Sequence, residues 1–304
     1  MSNNMRGYLM AAISSASYGI NALAPILYGA GYSTDSVLFY RYLFATVMLG
    51  IIAMVRKTDL RLSGHELLLV APMGLLFALS SLSLFESYNY VGVSLAATVL
   101  FVYPALVALL LWLLYRERPT RITIISIPTV FVGIALLDIN GILHGNSSWL
   151  GLCIVIASAL SYSIYMIVVQ KSCLSSMNPL KLSFYSLLFG MLLFVVRLSM
   201  NDGWQPIEGA LNWSVVLALA FFPSLVSLCT MAVSIRLVGS TATAVLGAFE
   251  PITSVLIGVF LFSERPDWTA WLGMGIIILA VTVMVTQGRW HSILNKVKCC
   301  LPRH

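Results

Sequence analysis

Ten long apolar runs, joined by short polar links, constrain the fold of this chain more than any other feature. A helix needs about 20 apolar residues to cross a hydrocarbon core of ~30 Å. The runs occupy residues 7–29, 34–55, 66–88, 93–115, 122–138, 149–170, 179–200, 212–236, 241–262 and 268–286. Because they are continuously apolar and lack in/out alternation, a membrane β-barrel is excluded. The sequence predicts an all-α integral membrane protein with ten transmembrane helices.

The few charged residues predict the orientation of these helices. Charged side chains make up 9% of the chain, compared with about 25% in soluble domains. If the N-terminus is cytoplasmic, fourteen Lys and Arg residues face the cytoplasm, and only Arg41, Arg197 and Arg265 lie towards the other side. This is the positive-inside bias of membrane proteins. The net charge of +6 therefore reflects topology and does not indicate nucleic-acid binding, and both termini are expected in the cytoplasm.

The two ends of the chain fit this orientation. The start, Met-Ser-Asn-Asn, lacks the charged region and cleavage site of a signal peptide, so the first span is expected to be retained. Residues 288–304 form a basic tail whose apolar side chains follow a helical period. We expect this tail to lie as an amphipathic helix on the anionic cytoplasmic leaflet.

An internal repeat runs through the whole chain. Residues 91–120 match residues 238–267 without a gap, at an offset of 147, and earlier segments match at an offset of 144 to 145. The matched residues include Gly92 with Gly239, Pro104 with Pro251, Glu117-Arg118-Pro119 with Glu264-Arg265-Pro266, Ser14 with Ser158, and Tyr18 with Tyr162. The sequence predicts two five-helix units, residues 1–145 and 146–287, followed by the tail.

Five is an odd number, so the second unit must enter the membrane upside down relative to the first. Inverted repeats related by a two-fold axis in the membrane plane are typical of secondary transporters, whose substrate site lies near the midplane between the repeats. The pattern favours a transporter, although a duplicated scaffold would have the same topology.

Ionisable residues inside spans are costly and mark functional sites. Arg41 and Glu86 both fall in the outer third of the membrane and could pair across neighbouring helices. Two interpretations of Arg41 stay open: a structural ion pair or snorkelling side chain, and a gate or clamp for an anionic group, to which the guanidinium fork is suited.

Glu250 lies at the midplane, directly before Pro251. A proline within a span removes one backbone hydrogen bond and frees a carbonyl in the preceding turn, which allows bending. A carboxyl group at this depth has two candidate functional roles, proton coupling and counter-charge for a substrate amine. A packing role remains the alternative.

Polar and aromatic side chains supply a candidate cavity wall. On the first span Ser14, Tyr18, Asn21 and Pro25 form one helical stripe, and on the sixth Ser158, Tyr162 and Tyr165 do the same. Both stripes are expected to face protein. Two more tyrosines are wall candidates, Tyr185 and Tyr103, the second of which occupies the position of Glu250 in the first repeat; ordinary packing is the alternative. Gly92 and Gly239, which open the proline-containing spans, are hinge candidates along with the prolines.

Together these features resemble the drug/metabolite transporter superfamily of the EamA type. The resemblance rests on the two five-span halves, the "FYRYLFA" stretch with Arg41, "FEP" at residues 249–251, and a Glu that closes the fourth and ninth spans. It implies a ten-helix transporter of a bacterial inner membrane and, as the leading class, an exporter of amino acids or similar metabolites. Ser186 stands where the first half has Arg41, so the halves cannot contribute equally to a site.

Other functional classes fit less well. All four histidines lie in loops or tails, and no hydrolase, zinc or nucleotide-binding motif occurs. We therefore expect no enzyme, no metal and no cofactor. A channel, sensor or scaffold with the same topology remains the alternative. The expected partners are a small-molecule substrate, the lipid bilayer and protons as a possible coupling ion, and the sequence leaves open whether the protein is a monomer or a homodimer.

Overall fold

The structure is a computed structural model that describes residues 3–91, 96, 99–137, 148–200, 204–262, 268–269, 271–280 and 283. Within these residues the regular structure is entirely helical. The helices are α1 (Asn3–Tyr18), α2 (Ala24–Gly29), α3 (Thr34–Val55), α4 (Gly64–Ser87), α5 (Tyr103–Tyr115), α6 (Arg121–Leu137), α7 (Trp149–Lys171), α8 (Pro179–Met200), α9 (Ala210–Leu219), α10 (Ser227–Val238), α11 (Ser240–Leu246), α12 (Phe249–Phe262) and α13 (Trp271–Ala280).

Seven of the helical segments are long and apolar enough to cross a membrane. They are Asn3–Gly29, Thr34–Val55, Gly64–Ser87, Trp149–Lys171, Pro179–Met200, Ala210–Val238 and Ser240–Leu261. Three shorter apolar helices, Tyr103–Tyr115, Thr123–Gly133 and Trp271–Ala280, fall within other predicted spans. The protein is thus a multi-pass integral membrane protein, whereas the count of ten spans and the cytoplasmic termini stay predictions.

Local sequence signals explain where several helices start. Ser63 caps α4 through a capping box, in which its hydroxyl accepts from the Glu66 backbone N–H and the Glu66 carboxylate accepts from the Ser63 backbone N–H. Ser33 caps α3 in a similar way by accepting from the Ser36 backbone N–H. Gly239 separates α10 from α11 with a φ of +86°, a conformation that glycine adopts without strain.

The packing of the helices follows the repeat. Helix α1 packs against α10 and α7 packs against α4, while α3 packs against α8. The Ser14 hydroxyl donates to the Ser227 carbonyl at 2.8 Å, and the Ser158 hydroxyl donates to the Ser80 carbonyl at 2.7 Å. Ser14 and Ser158 are 144 residues apart, and Ser80 and Ser227 are 147 residues apart, so these contacts are repeat equivalents. The α1–α10 pair and the α7–α4 pair therefore share an equivalent serine contact.

Ion pairs join the helix ends on both sides of the bundle. On the side of the first residues, which is the predicted cytoplasmic side, Lys181 of α8 contacts Glu66 of α4 at 3.1 Å. At the opposite, predicted external side, Arg197 of α8 contacts Asp35 of α3 at 2.7 Å. Helix α8 is therefore tied to its neighbours at both ends, and successive long helices run in alternating directions.

Candidate functional site

Irregular backbone segments converge near the centre of the bundle. A 3₁₀ segment, Gly19–Leu23, interrupts the first span, and a π-helical segment, Ala220–Val226, interrupts the eighth. Turns at residues 101–102 and 247–248 precede α5 and α12. The 3₁₀ segment packs against α12 and the π segment, and α11 packs against α5. At membrane depth, non-helical backbone is tolerated only where it is buried in protein or lines a cavity, so this convergence marks a candidate site.

Proline accounts for the break before α12. Pro251 has no N–H to donate to the Gly247 carbonyl, which instead accepts from the Glu250 N–H at 2.9 Å. Glu250 consequently lies in the first turn of α12, where the helix dipole favours a negative charge. The break also permits close packing: a Cβ on Gly19 would lie 2.6 Å from the Glu250 carbonyl oxygen.

Glu250 and three tyrosines line a small central cavity. Tyr18 and Tyr162, which are equivalent residues of the two repeats, stack with ring centroids 6.4 Å apart. Tyr103 meets Tyr162 edge-on at 5.1 Å. Further lining comes from both repeats, namely Ala11, Ser14, Ser15, Met166, Ser227, Met231, Thr243 and Gly247. The cavity volume of about 10 Å³ is enough for about one water molecule, so an organic substrate enters only if the helices move apart.

Small residues and polar contacts shape this cavity. The Tyr103 hydroxyl lies so close to Gly247 that any Cβ there would overlap it. The Tyr162 hydroxyl donates to the Met231 sulfur at 3.0 Å, and the Ser15 hydroxyl donates to the Leu246 carbonyl at 2.8 Å. The cavity therefore lies between α1, α7, α10 and the broken ninth span, on the predicted cytoplasmic side of Glu250.

Arg41 belongs to a separate polar cluster, which lies closer to the predicted external side than the Glu250 cavity does. Only 1% of its surface is exposed. Its Nε donates to the Ser224 hydroxyl at 2.7 Å, and its Nη1 donates to the Asn21 side-chain oxygen at 3.0 Å. The guanidinium carbon lies 5.8 Å from the ring centroids of both Tyr18 and Phe85, so Tyr18 is shared between the Arg41 cluster and the Glu250 cavity.

The predicted pair between Arg41 and Glu86 is wrong. A carboxylate oxygen of Glu86 lies 3.7 Å from Nη2 of Arg197, which also holds Asp35. The two predicted partners have similar depth, but Arg41 faces the bundle interior while Glu86 faces the end of α8. None of the four ion pairs among the described residues involves Arg41 or Glu250.

Two of the predicted wall tyrosines lie outside the cavity. Tyr165 is buried with its hydroxyl 3.4 Å from Ser186 and its ring 5.3 Å from that of Phe77. Tyr185 donates to the Leu60 carbonyl at 2.7 Å, which ties α8 to the loop after α3. Its expected place in the cavity wall is therefore incorrect.

The predicted hinge positions coincide in part with the helix breaks. Pro25 and Pro104 lie in the first turns of α2 and α5, as Pro251 does in α12. The Gln170 side chain holds the link at Gly239 by accepting from the backbone N–H and hydroxyl of Ser240. Gly92 lies outside the described residues, so its predicted role stays a prediction.

The duplicated Glu-Arg-Pro motif is described in one copy only. Glu117 forms an ion pair with Lys171 of α7, Arg118 is exposed and Pro119 is half-buried. The second copy, Glu264, Arg265 and Pro266, lies outside the described residues. The first copy thus ties the predicted cytoplasmic ends of the fourth and sixth spans.

Sequence reasoning missed Ser224, Ser227 and Lys171. Ser224 is next to Pro223 in the π segment, and that proline was the available signal. Ser227 could have been found as the partner of Ser80 at the repeat offset. Lys171 ends α7. A cation is common at the end of a helix because the helix dipole favours it, so the sequence did not indicate that Lys171 pairs with Glu117.

Comparison with known proteins agrees with this architecture. The model of the EamA-like transporter family matches residues 5–138 and again residues 149–286. An uncharacterized transporter of Synechocystis sp. is 24% identical over 69% of this chain, and the match spans 64% of that relative's length. The uncharacterized transporter YxxF of Bacillus subtilis is 24% identical over 83% of this chain and 82% of its own. A crystal structure superimposes with a TM-score of 0.74 at 16% identity, covering 93% of this chain and 97% of the other, which shows a shared fold.

The helical bundle with polar groups at central helix breaks agrees with the membrane transporter class that the family model and these relatives indicate. With both halves matched by the family model, the chain belongs to the EamA-like transporter family, consistent with the drug/metabolite transporter superfamily.

Proposed function

We propose that this protein is a secondary active transporter that exports a small amphipathic metabolite, such as an amino acid, by alternating access. It contains ten transmembrane helices in two inverted five-helix repeats and lies in a bacterial inner membrane. Both of its termini are in the cytoplasm. The positive-inside charge bias supports the orientation, and the bacterial relatives support the membrane. Export is the direction that the sequence resemblance implies.

The observation that carries this proposal is the position of Glu250. It lies at a helix break, in the first turn of α12, beside the stacked pair of equivalent tyrosines Tyr18 and Tyr162. Discontinuous helices at the repeat interface form the substrate and ion sites of many secondary transporters. A carboxylic acid is costly to place at this depth, which makes Glu250 a functional candidate.

The small size of the cavity supports a moving mechanism. Its one-water volume corresponds to a closed conformation, and substrate is admitted when one repeat rocks against the other. The helix breaks before Pro104 and Pro251 and the glycine link at Gly239 provide bending points for this motion, and Gly92 is the predicted counterpart of Gly239 in the first repeat. The ion pair of Glu117 with Lys171 holds the predicted cytoplasmic ends together in the closed form.

Glu250 supplies either the coupling proton or the counter-charge for a substrate amine. Both roles need a carboxyl group that is accessible from each side in turn, and both place the substrate against Tyr18, Tyr103 and Tyr162. Aromatic faces of this kind bind apolar or cationic groups. All of these residues come from a single chain, so a monomer or a homodimer fits the mechanism equally well.

The test is flux of labelled amino acids into and out of proteoliposomes with the purified protein. We expect one class to show saturable flux, and Glu250→Gln to lower it at least tenfold. Retained binding of an amine substrate with lost pH dependence would assign Glu250 to proton coupling, while lost binding would assign it to the amine. Glu86→Gln, which removes a carboxylate from an interaction at the edge of the bundle, is the matched control and should keep most of the flux.

Other outcomes of this experiment would contradict the proposal. Flux that rises linearly with concentration would identify a channel. Absence of flux for the whole panel in both directions would favour a sensor or scaffold. Unchanged flux and pH dependence in Glu250→Gln would remove this residue from the mechanism.

A further inference from the structure

The Arg41 cluster contains two buried donor atoms without a hydrogen-bond partner among the described residues. Nε and Nη1 of Arg41 donate to neutral acceptors on Ser224 and Asn21. Nη2 of Arg41 and Nδ2 of Asn21 are buried and have no hydrogen-bond partner within the part of the chain that the structure describes. Arg41 is 1% and Asn21 9% exposed. A buried cation with neutral partners is costly unless an anion joins it.

The second repeat shows that this helix crossing does not require a charge. The repeat equivalents of Arg41 and Asn21 are Ser186 and Tyr165, and the equivalent of Ser224 is Phe77. Tyr165 contacts both of the other residues, with its hydroxyl 3.4 Å from the Ser186 hydroxyl and its ring centroid 5.3 Å from that of Phe77. A neutral set thus packs the equivalent place in the second repeat, so packing alone does not require a guanidinium there.

The surroundings of Arg41 indicate which kind of anion its unpartnered donor would bind. The guanidinium carbon lies 5.8 Å from the ring centroids of both Tyr18 and Phe85, and such aromatic surroundings suit a planar group attached to an apolar body. Another cation, Arg197, is already held by Asp35 and Glu86. The unpartnered Nη2 of Arg41 and the unpartnered Nδ2 of Asn21 match the two oxygens of a singly charged carboxylate, and a hydrogen bond from a guanidinium to a carboxylate is charge-assisted.

We propose that Arg41 and Asn21 form a carboxylate-binding subsite for the transported molecule, separated from the Glu250 cavity by the Tyr18 ring. The inference rests on the proposed transport function and narrows its substrate to compounds that carry a carboxylate. A carboxylate bound to Arg41 places the rest of the molecule against Tyr18, whose ring must turn aside for the substrate to reach Glu250. The second repeat, with Ser186, offers no equivalent subsite.

The test uses benzoate as a probe, with benzamide as its neutral isostere. Thermal unfolding of the purified full-length protein is followed with increasing concentrations of each at constant ionic strength. At about ten times the Kd, benzoate should raise Tm by roughly 3 °C, and benzamide should raise it much less. Arg41→Gln should abolish the benzoate shift, whereas Arg197→Gln, which removes a cation engaged elsewhere, should retain it.

Asn21→Ala is a second variant that keeps the guanidinium. It should weaken benzoate binding about tenfold, because a hydrogen bond to the charged group is lost. Equal shifts for benzoate and benzamide, or a full benzoate shift in Arg41→Gln, would overturn the subsite.

The outcomes also separate this inference from the transport proposal. Saturable flux of an amine that lacks a carboxylate, together with no benzoate shift, would leave transport standing and remove the subsite. A benzoate shift that depends on Arg41, in a protein without flux, would leave the subsite standing and remove transport.

Discussion

Two helix contacts occupy equivalent places in the two repeats. One joins α3 to the π-helical segment Ala220–Val226, and the other joins α8 to α4. The first holds Arg41 with Asn21 and Ser224, and the second holds Ser186 with Tyr165 and Phe77. The serine contacts that join the repeats, Ser14 to Ser227 and Ser158 to Ser80, are nearly identical in length. Features shared by both repeats therefore build the bundle, and features present in only one repeat, such as Arg41 and Glu250, are the candidates for function.

The largest expected effect comes from copying the charge into the second repeat. Ser186→Arg would bury a guanidinium beside Tyr165 and Phe77, where one ring replaces the acceptor that Ser224 provides in the first repeat. An unpaired buried charge costs about 3 to 5 kcal/mol, and we expect the free energy of unfolding to fall by this amount. Ser186→Met adds bulk without charge and should lower the free energy of unfolding by less. Both variants are compared by denaturant titration. Equal losses for both variants would mean that bulk alone decides the difference.

Adding a side chain at Gly247, where the Tyr103 hydroxyl lies close to the backbone, should have the next largest effect on stability. Gly247→Ala places a Cβ on the Tyr103 hydroxyl and 2.7 Å from the Ala244 carbonyl oxygen. Overpacking of this kind costs about 1 to 3 kcal/mol, measured as a loss of thermal or denaturant stability.

Two controls define that effect. Gly275→Ala, where no atom of the described residues lies within 4 Å of the added Cβ, should be neutral. Tyr103→Ala should reduce the cost of Gly247→Ala in a double-mutant cycle. Additive losses from the two changes would show that the hydroxyl does not restrict position 247.

The shared serine contacts predict smaller and matched effects. Ser14→Ala and Ser158→Ala each remove a buried hydrogen bond to a carbonyl of the partner helix, at a cost of about 1 kcal/mol. Because the residues are repeat equivalents, the two losses in unfolding free energy should agree to within roughly 0.5 kcal/mol. A clearly unequal pair of losses would argue against equivalent roles in the scaffold.

The smallest effect on stability is expected from Arg41→Met. Replacement of a buried charge by an apolar side chain of similar length is often neutral, so the free energy of unfolding should change by less than about 1 kcal/mol. A loss of unfolding free energy as large as that expected for Ser186→Arg would show that Arg41 stabilises the fold and is not kept for binding a ligand.

Much of the architecture is encoded in hydropathy and in the repeat. Apolar length predicts the long helices because the bilayer fixes how many residues a span needs. The two polar stripes, one through Ser14 and one through Ser158, correctly predict which helix faces are buried against protein. The pairing of Arg41 with Glu86 failed because a sequence gives the depth of a residue in a span more reliably than the direction it faces. Ser224 was missed since its position depends on the π-helical turn at Pro223, which shifts the register of the side chains.

Thiol labelling from each side of the membrane tests the central claim, that the two repeats have inverted orientations, most directly. Ser14→Cys and Ser158→Cys would be made separately after the five native cysteines are replaced by serine, and treated with a membrane-impermeant reagent on one side at a time. The account predicts that Ser14→Cys reacts only from the cytoplasmic side and Ser158→Cys only from the external side. Labelling of both cysteines from the same side would contradict the inverted arrangement and the mechanism built on it.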